Sequence, residues 1–298
     1  MATSTVREAS VEGPHHVEGV VDVDGVSVRY VDSGPRDEAA EDGTARPPIV
    51  LVHGTGGSIE RDYGFLLPLL ASRQRVVALD FARPEPPSDR LTLGHLERQV
   101  VAACEAVLPG RSVTLVGYSL GAVVATAVAA HRPDLADRLV TVAGWARTDT
   151  QQKLRNGVWR RLRTENSAAL PSYMAFCALG GPFLAQATLE QLAPLLQHGT
   201  LDEFLDLQMA LNESIDITDL LGRVRATTLV IGCAHDQMVP VRHSKALFGA
   251  IPDARYTEIS SGHAVVFERP AQLVQIIDRF NADPDRHPAG SLIPEARV

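Results

Sequence analysis

The stretch Val113-Thr-Leu-Val-Gly-Tyr-Ser-Leu-Gly-Ala-Val-Val-Ala-Thr-Ala-Val-Ala-Ala-His131 decides the fold of this chain. It starts with a short apolar run ended by a glycine, as a buried strand does, and continues into an alanine-rich run typical of a buried helix. A strand that turns this sharply into a helix leaves no room for a Cβ atom two residues before and two residues after the turn. Gly117 and Gly121 occupy those positions around Ser119. The sequence therefore predicts that Ser119 is exposed at the end of a sheet, beside a helix N-terminus, as a candidate nucleophile.

Strand and helix patterns alternate on both sides of this stretch. The chain opens with a hairpin pattern around Asp24-Gly25, in which apolar and polar residues alternate. Later apolar runs predict strands from Ile49 and at 75–80, 138–144, 227–232 and 254–259, with helices at 59–72, 93–107, 241–250 and 268–282. We therefore predict an α/β protein whose mostly parallel, doubly wound sheet carries antiparallel strands at one edge.

An insertion interrupts this alternation. About eighty residues separate the strands at 138–144 and 227–232, where roughly twenty residues make an ordinary crossover. Two capping-box patterns, Thr188-x-x-Gln191 and Thr200-x-x-Glu203, precede apolar runs within it and indicate helices. We interpret 146–220 as a helical lid on a core formed by 1–145 and 221–282, followed by a flexible tail at 283–298.

Three further strand ends are followed by residues suited to catalysis. In a parallel sheet, reactive groups collect at the carboxyl ends of the strands. Asp236 follows the strand at 227–232, and His263 follows the next strand, at 254–259. The glycine-rich segment His53-Gly-Thr-Gly-Gly57 follows the strand that starts at Ile49, and its glycines allow a close approach of the backbone to a substrate.

These motifs together resemble the α/β-hydrolase family, whose nucleophile elbow is similar to Gly117-Tyr-Ser-Leu-Gly121 and whose catalytic residues follow in the order Ser, Asp, His. The resemblance implies the α/β-hydrolase fold, with Ser119 as nucleophile, His263 as general base and Asp236 as the group that orients the imidazole. It further implies an oxyanion hole formed by the backbone N–H groups of Leu120 and Thr55. No metal and no organic cofactor is needed for this chemistry.

One segment departs from the family pattern. Where relatives carry Asp-x-Arg-Gly-x-Gly-x-Ser, this chain has Asp80-Phe-Ala-Arg-Pro-Glu-Pro-Pro-Ser88. The candidate catalytic residues are untouched, but a loop beside the pocket is reshaped, so the substrates of relatives do not transfer directly. Asp149, after the preceding strand, is an alternative to Asp236 as the orienting carboxylate.

The lid supplies most candidates for the substrate pocket. Much of the small aromatic content of the chain falls in or beside the insertion, which predicts a pocket for an apolar group longer than a few carbons. The candidate pocket residues are His53, Gly54, Tyr118, Trp145, Tyr173 and Phe176. For His53, a structural role in fixing the segment 53–57, here called the oxyanion loop, is favoured over a role as proton carrier.

Composition and net charge narrow the classes of partner that this protein is expected to bind. The 298 residues carry a net charge of −8, which disfavours nucleic acid and anionic membrane surfaces as main partners. No secretory signal or membrane-spanning run is visible, so a cytoplasmic location is expected. The three cysteines, Cys104, Cys177 and Cys233, are scattered and fit reduced thiols rather than a disulfide or metal framework. A basic run from Lys153 to Arg163 predicts a solvated face, with a docking surface for an acidic carrier domain or a phosphate-bearing substrate as the alternative.

Three functions remain open from these residues. The first is a serine hydrolase that cleaves an ester or thioester of a small-to-medium, largely apolar molecule. The second uses the same three residues for acyl transfer, or as a lyase that eliminates an acyl group, in small-molecule biosynthesis. The third is a binding protein on the same fold, which would not need Ser119, Asp236 and His263 together.

Overall fold

The computed structural model describes residues 6–9, 16–34, 46–84, 90–197 and 201–295. The strands within these ranges are β1 (Val6–Ala9), β2 (Val17–Val23), β3 (Val26–Asp32), β4 (Ile49–Val52), β5 (Val76–Leu79), β6 (Val113–Tyr118), β7 (Ala136–Val142), β8 (Thr227–Cys233), β9 (Ala254–Ile259) and β10 (Leu292–Ile293). They form one sheet in the order β1-β2-β3-β5-β4-β6-β7-β8-β9-β10. The pairs β1–β2, β2–β3 and β3–β5 are antiparallel. All pairs from β5 onward in this order are parallel.

Helices connect the strands and cover the sheet. They are α1 (Ile59–Tyr63), α2 (Leu66–Ala71), α3 (Leu93–Val107), α4 (Leu120–His131), α5 (Thr150–Thr164), α6 (Leu170–Ala178), α7 (Gly181–Leu184), α8 (Leu189–Gln197), α9 (Glu203–Ser214), α10 (Thr218–Leu221), α11 (Arg242–Ala250), α12 (Val265–Glu268) and α13 (Pro270–Ala282). None of these helices is both long and apolar enough to cross a membrane.

Each face of the sheet has its own apolar core. Alternate residues of β4 point to opposite sides: Val50 and Val52 join a cluster with α3, α4 and α11, whereas Ile49 and Leu51 join a cluster with α1, α2 and α13. All four of these β4 side chains are fully buried. Burial on both faces explains why β4 reads as a continuous apolar run, and it confirms the predicted doubly wound sheet.

The predicted hairpin and elbow are present. Asp24 and Gly25 both adopt positive φ, at 51° and 83°, as the tight turn between β2 and β3 requires. At the elbow, a Cβ atom on Gly117 would lie 2.3 Å from the Gly121 carbonyl oxygen, and one on Gly121 would lie 1.9 Å from the Val52 carbonyl oxygen. Both glycines are therefore required by backbone contacts that cannot move aside.

Gly121→Ala should lower the free energy of unfolding by about 3 kcal/mol or more, because the added methyl group forces α4 away from β4. The melting temperature should fall by about 6–12 °C. Gly249→Ala is the matched control, since Gly249 lies in α11 with open space around its Cβ position. Thermal unfolding of both variants checks this, and an unchanged melting temperature for Gly121→Ala would contradict the packing described here.

The insertion between β7 and β8 contains α5 to α10. Its two ends meet: the Thr148 N–H donates to the Ile215 carbonyl at 3.0 Å, and the Ile217 N–H donates to the Ala146 carbonyl at 2.8 Å. The predicted capping box at Thr188 is present, with reciprocal bonds to Gln191. The second predicted box begins at Thr200, which lies outside the described residues, and α9 is capped instead by Asp202, which accepts from the Leu205 N–H.

Two local predictions differ from the structure. The helix predicted at 59–72 is broken into α1 and α2 at Gly64, where a side chain would meet the Glu60 carbonyl oxygen at 2.5 Å. The segment expected to be a flexible tail is docked as far as residue 295: β10 pairs with β9, and the Arg255 side chain donates to the His287 carbonyl at 2.7 Å. Free backbone groups on the edge strand β9 explain this docking.

Candidate active site

The carboxyl ends of three strands bring Ser119, Asp236 and His263 together. Ser119 follows β6, Asp236 follows β8 and His263 follows β9. The Ser119 Oγ lies 2.8 Å from the His263 Nε2, and the His263 Nδ1 lies 2.7 Å from the Asp236 Oδ2. With a proton on Nδ1, the imidazole donates to Asp236 and accepts from the serine hydroxyl. This is the geometry of a nucleophile, a base and an orienting acid.

Ser119 adopts a strained backbone conformation at the start of α4. Its φ is 56° and its ψ is −120°, values that a non-glycine residue rarely adopts. The Ser119 N–H donates to the Val142 carbonyl at 2.9 Å, and its carbonyl accepts from the Ala122 N–H at 2.9 Å. These bonds fix the turn, so the hydroxyl is aimed at His263 rather than into the helix.

The Asp236 carboxylate is fully engaged. Its Oδ1 accepts from the N–H groups of Met238 and Val239, both at 2.8 Å, while Oδ2 faces His263. Its side chain is completely buried. Three hydrogen-bond donors therefore surround this buried carboxylate and fix its orientation toward His263.

Asp149, the alternative orienting carboxylate, lies elsewhere. It caps α5 by accepting from the Gln152 N–H at 3.0 Å, and it pairs with Arg242 and with the His243 Nε2. Burial raises the pKa of Asp149, but the bonds from Gln152 and Arg242 outweigh burial and hold the pKa below its usual value. Of the two candidate carboxylates, only Asp236 faces His263.

The loop after β4 lies against the nucleophile. A Cβ atom on Gly54 would lie 3.1 Å from the Ser119 Cβ, so the loop backbone passes directly over the serine. The next residue is Thr55, and its N–H and that of Leu120 make no hydrogen bond within the described ranges. Two free N–H groups beside a nucleophile are suited to bind a developing oxyanion.

Two buried side chains support this loop from the core side. The His53 Nε2 accepts from the Phe81 N–H at 2.9 Å, and its Nδ1 bonds to the Gly54 carbonyl at 2.7 Å. Both ring nitrogens are thus used by the backbone, which matches the structural alternative considered for His53. The Asp62 Oδ2 accepts from the Gly54 N–H at 3.0 Å; burial raises the pKa of Asp62 against the opposing effects of His53 and this bond. Asp62 was not identified from sequence, because nothing in its neighbours on α1 marks it.

Tyr118 supports the base. Its hydroxyl donates to the His263 carbonyl at 2.9 Å, and its ring lies 5.4 Å from the imidazole, centroid to centroid. Burial raises the pKa of Tyr118 well above its usual value, so the phenol stays a neutral donor. Tyr118 is therefore buried against the His263 loop.

The other predicted pocket residues are dispersed. Trp145 is buried in the main apolar cluster, and its indole N–H donates to the Thr148 Oγ1 at 2.9 Å. Tyr173 is half-buried, with its hydroxyl bonded to the Arg155 carbonyl at 3.0 Å. Phe176 is 60 % exposed. Trp145 lies in the main apolar cluster and Tyr173 packs against that cluster, whereas Phe176 faces largely outward.

A glutamate not identified from sequence joins the insertion to the His263 loop. The Glu268 carboxylate accepts from the Gly180 N–H at 2.9 Å and from the Gly262 N–H at 3.1 Å. The two glycines touch: a Cβ atom on Gly262 would lie 2.2 Å from the Gly180 nitrogen. Beside them, the Ala264 N–H donates to the Ala178 carbonyl at 2.9 Å. The end of α6 is thereby held against the loop that carries the base.

The basic run of α5 is partly neutralised within the insertion. Three of its members pair with carboxylates: Arg160 with Glu213, Arg161 with Glu165, and Arg163 with Asp206. Near the base, the Cys233 thiol is buried, and burial raises its pKa well above the usual value, so it is not a nucleophile. Within the described ranges, no three His, Cys, Asp or Glu side chains are grouped to hold a metal ion.

Comparison with known proteins agrees with this architecture. Residues 49–276 match the family model described as the Alpha/beta hydrolase family. A pyrrolizixenacetamide deacetylase of Xenorhabdus hominickii is 33% identical over 78% of this chain and 90% of its own length. A pimeloyl-[acyl-carrier protein] methyl ester esterase of Aeromonas hydrophila is 27% identical over 78% of this chain and 95% of its own length. Among solved structures, the α/β-hydrolase MGS-M2 from a deep-sea metagenome library superposes with a TM-score of 0.75 at 19% identity, over 88% of this chain and 96% of that one. The chain thus belongs to the α/β-hydrolase family and is a hydrolase by family.

Proposed function

We propose that the protein is a serine hydrolase that cleaves an ester or thioester bond of a small-to-medium, largely apolar molecule. The observation that carries the proposal is the continuous hydrogen-bonded chain from the Ser119 Oγ through His263 to Asp236. The free N–H groups of Thr55 and Leu120 beside the serine support it. The hydrolase relatives support the general reaction class.

The proposed reaction follows from these positions. The Ser119 Oγ attacks the acyl carbon, its proton passes to the His263 Nε2, and the carbonyl oxygen becomes an oxyanion bound by the two N–H groups. The tetrahedral intermediate collapses when the imidazolium returns that proton to the leaving alcohol or thiol. Water then attacks the acyl-enzyme by the same route, which releases the acid and restores the serine.

Asp236 acts through the imidazole. Its bond to Nδ1–H selects the tautomer whose Nε2 is free to accept a proton, and its charge stabilises the imidazolium formed in each step. Because Met238 and Val239 hold the other carboxylate oxygen, Asp236 does not need to reorganise during the reaction.

A second candidate is hydrolysis of an N-acyl bond. The relative that is 33% identical to this chain is named as a deacetylase of an acetamide. The same nucleophile, base and oxyanion donors serve amide cleavage, with the imidazolium protonating an amine. Acyl transfer differs only in that another nucleophile replaces water at the acyl-enzyme.

A substrate screen tests these candidates. Purified protein is assayed with p-nitrophenyl esters from acetate to decanoate, with acyl thioesters of coenzyme A and of an acyl carrier protein, and with N-acetyl anilides, and products are identified by mass spectrometry. Hydrolysis of esters or thioesters to the free acid is the expected result. Preference for the carrier thioester would support an acidic carrier as partner, although three arginines of the basic run are already paired. Turnover of anilides alone would favour the amide candidate.

Trp145→Ala should change the ratio of kcat/KM between long and short acyl esters by about tenfold or more, since a pocket contact of this kind amounts to roughly 1–3 kcal/mol. Trp145 lies just past β7, beside the strand that carries Ser119. Trp159→Ala is the matched control: it removes an equally buried indole from a separate small cluster with Leu170 and Met209. Both variants should lose stability, but only the first should shift the ratio. Equal losses on both esters would show that Trp145 only fills the core.

A further inference from the structure

Helix α9 of the insertion contacts the oxyanion loop through side chains. The Gly56 N–H donates to the Gln208 Oε1 at 2.7 Å, and the Asn212 Nδ2 donates to the Thr55 Oγ1 at 2.9 Å. Gln208 and Asn212 are four residues apart and share one face of the helix. Two successive turns of α9 therefore hold two successive residues of the loop.

The contact is tight and buried. Gln208 is 1 % exposed and Asn212 is 5 % exposed. Gly56 has a φ of +63°, and a Cβ atom there would lie 2.9 Å from the Leu205 Cδ1, one turn earlier on α9. Water has little access to these amides, so loss of either partner leaves a buried polar group unsatisfied. The helix thus seats directly on the loop backbone, with glycine at the point of closest approach.

The oxyanion loop is held from two sides. From the core, the Asp62 carboxylate binds the Gly54 N–H. From the insertion, Asn212 binds the Thr55 side chain and Gln208 binds the Gly56 N–H. Between these anchors lies the Thr55 N–H, the proposed oxyanion donor. Stabilisation of an oxyanion depends on donors placed in advance to within a fraction of an ångström.

Helix α9 is itself anchored to α5 and to the start of the insertion. The Arg163 side chain pairs with Asp206 at 3.0 Å. The Trp145 indole donates to the Thr148 Oγ1, and the Thr148 hydroxyl donates to the Asn212 carbonyl at 2.5 Å. A path of hydrogen bonds therefore joins the predicted pocket residue Trp145 to the oxyanion loop.

From these contacts we propose that Gln208 and Asn212 are positioning residues for the oxyanion hole, so that the insertion sets catalytic geometry as well as substrate choice. The inference rests on the proposed serine hydrolase function. It assigns the two amides no contact with substrate: they act on the transition state only through the placement of the Thr55 N–H.

The test compares variants that remove or keep the acceptor. Gln208→Met has nearly the same volume and offers only a weakly accepting thioether sulfur, whereas Gln208→Glu keeps an oxygen in the same place. We expect Gln208→Met to lower kcat about tenfold to hundredfold with little change in KM, a smaller loss than removal of an oxyanion donor itself causes. The pH profile should keep its shape, because His263 and Asp236 are untouched. Phosphonylation of Ser119 by a fluorophosphonate should slow in parallel, and Gln208→Glu, which keeps the acceptor but can add a charge, should lose less activity than Gln208→Met.

Two further variants guard against misfolding. Asn212→Leu removes the bond to Thr55 independently and should lower kcat in the same way. Glu203 lies on the same helix, and its exposed side chain pairs with Arg83, which follows β5. Glu203→Gln alters this ion pair and should leave kcat and KM unchanged. Rates are measured at a temperature at which circular dichroism shows every variant folded.

The outcomes distinguish the positioning role of Gln208 and Asn212 from the proposed serine hydrolase function. Wild-type kcat in both Gln208→Met and Asn212→Leu, or losses that fall on KM alone, would overturn the positioning role while leaving the serine hydrolase intact. A wild-type protein that hydrolyses no acyl substrate and does not react with the fluorophosphonate would overturn the proposed function and this inference with it.

Discussion

Ser119→Ala should lower kcat by about 10⁴-fold or more on whichever acyl substrate the protein hydrolyses, because it removes the hydroxyl that contacts the His263 Nε2. The loss should appear in kcat with KM little changed, since the methyl group leaves the pocket walls in place. Steady-state kinetics on the best ester of the screen measures the effect.

The variant also has a structural control. Ser119 makes its backbone bonds through its N–H and carbonyl groups, and these remain in alanine. The melting temperature should therefore stay within about 2 °C of the wild type. A fluorophosphonate should label the wild type at Ser119 and should not label the variant. Wild-type turnover by Ser119→Ala would refute the assignment of the nucleophile.

Asp236→Asn should lower kcat by about 10³- to 10⁴-fold, because an amide at this position no longer selects the imidazole tautomer with a free Nε2 and no longer stabilises the imidazolium. The change is nearly isosteric, so KM should change little. The effect should be smaller than that of Ser119→Ala, since the nucleophile and the oxyanion donors remain.

Asp149→Asn is the matched control for this prediction. Asp149 is an aspartate that also follows a strand and also lies near a histidine, His243, but it caps α5 and pairs with Arg242. Its replacement should leave kcat within about threefold of the wild type and lower stability only slightly, because asparagine still caps a helix and only the exposed ion pair with Arg242 is lost. If Asp149→Asn were the more damaging variant, Asp149 rather than Asp236 would orient the base.

Much of the fold could be predicted because its determinants are local. The run at β4 is apolar on every residue because both of its faces are buried, and Gly117 and Gly121 flank Ser119 because the turn excludes a Cβ atom. The residues brought together at the candidate site follow from the same logic: each lies just past a strand, and parallel strands end at one edge. Short-range sequence patterns are therefore sufficient to predict both the architecture and the positions of Ser119, Asp236 and His263 at the strand ends.

The supports of the site could not be predicted in this way. Asp62 and Glu268 hold backbone N–H groups that become neighbours only in the folded chain. Gln208 meets Gly56 across a separation of 152 residues. A single polar residue on a helix has no pattern that distinguishes a buried acceptor from a solvated side chain. The pairing of 292–293 could not be predicted for a related reason: it depends on the free edge of β9, not on the composition of 292–293.

The hydrogen bonds that join the two ends of the insertion affect how much its length and sequence can change. Because Ala146 and Thr148 bond directly to Ile217 and Ile215, the insertion leaves and rejoins the sheet at one point. Residues added or deleted between these points, away from the contacts with the core, mainly alter the entropy of loop closure, which grows slowly with length. Such changes are therefore expected to leave the sheet undisturbed. The residues under the strictest selection within it should be those that reach back to the core, as Gly180, Gln208 and Asn212 do.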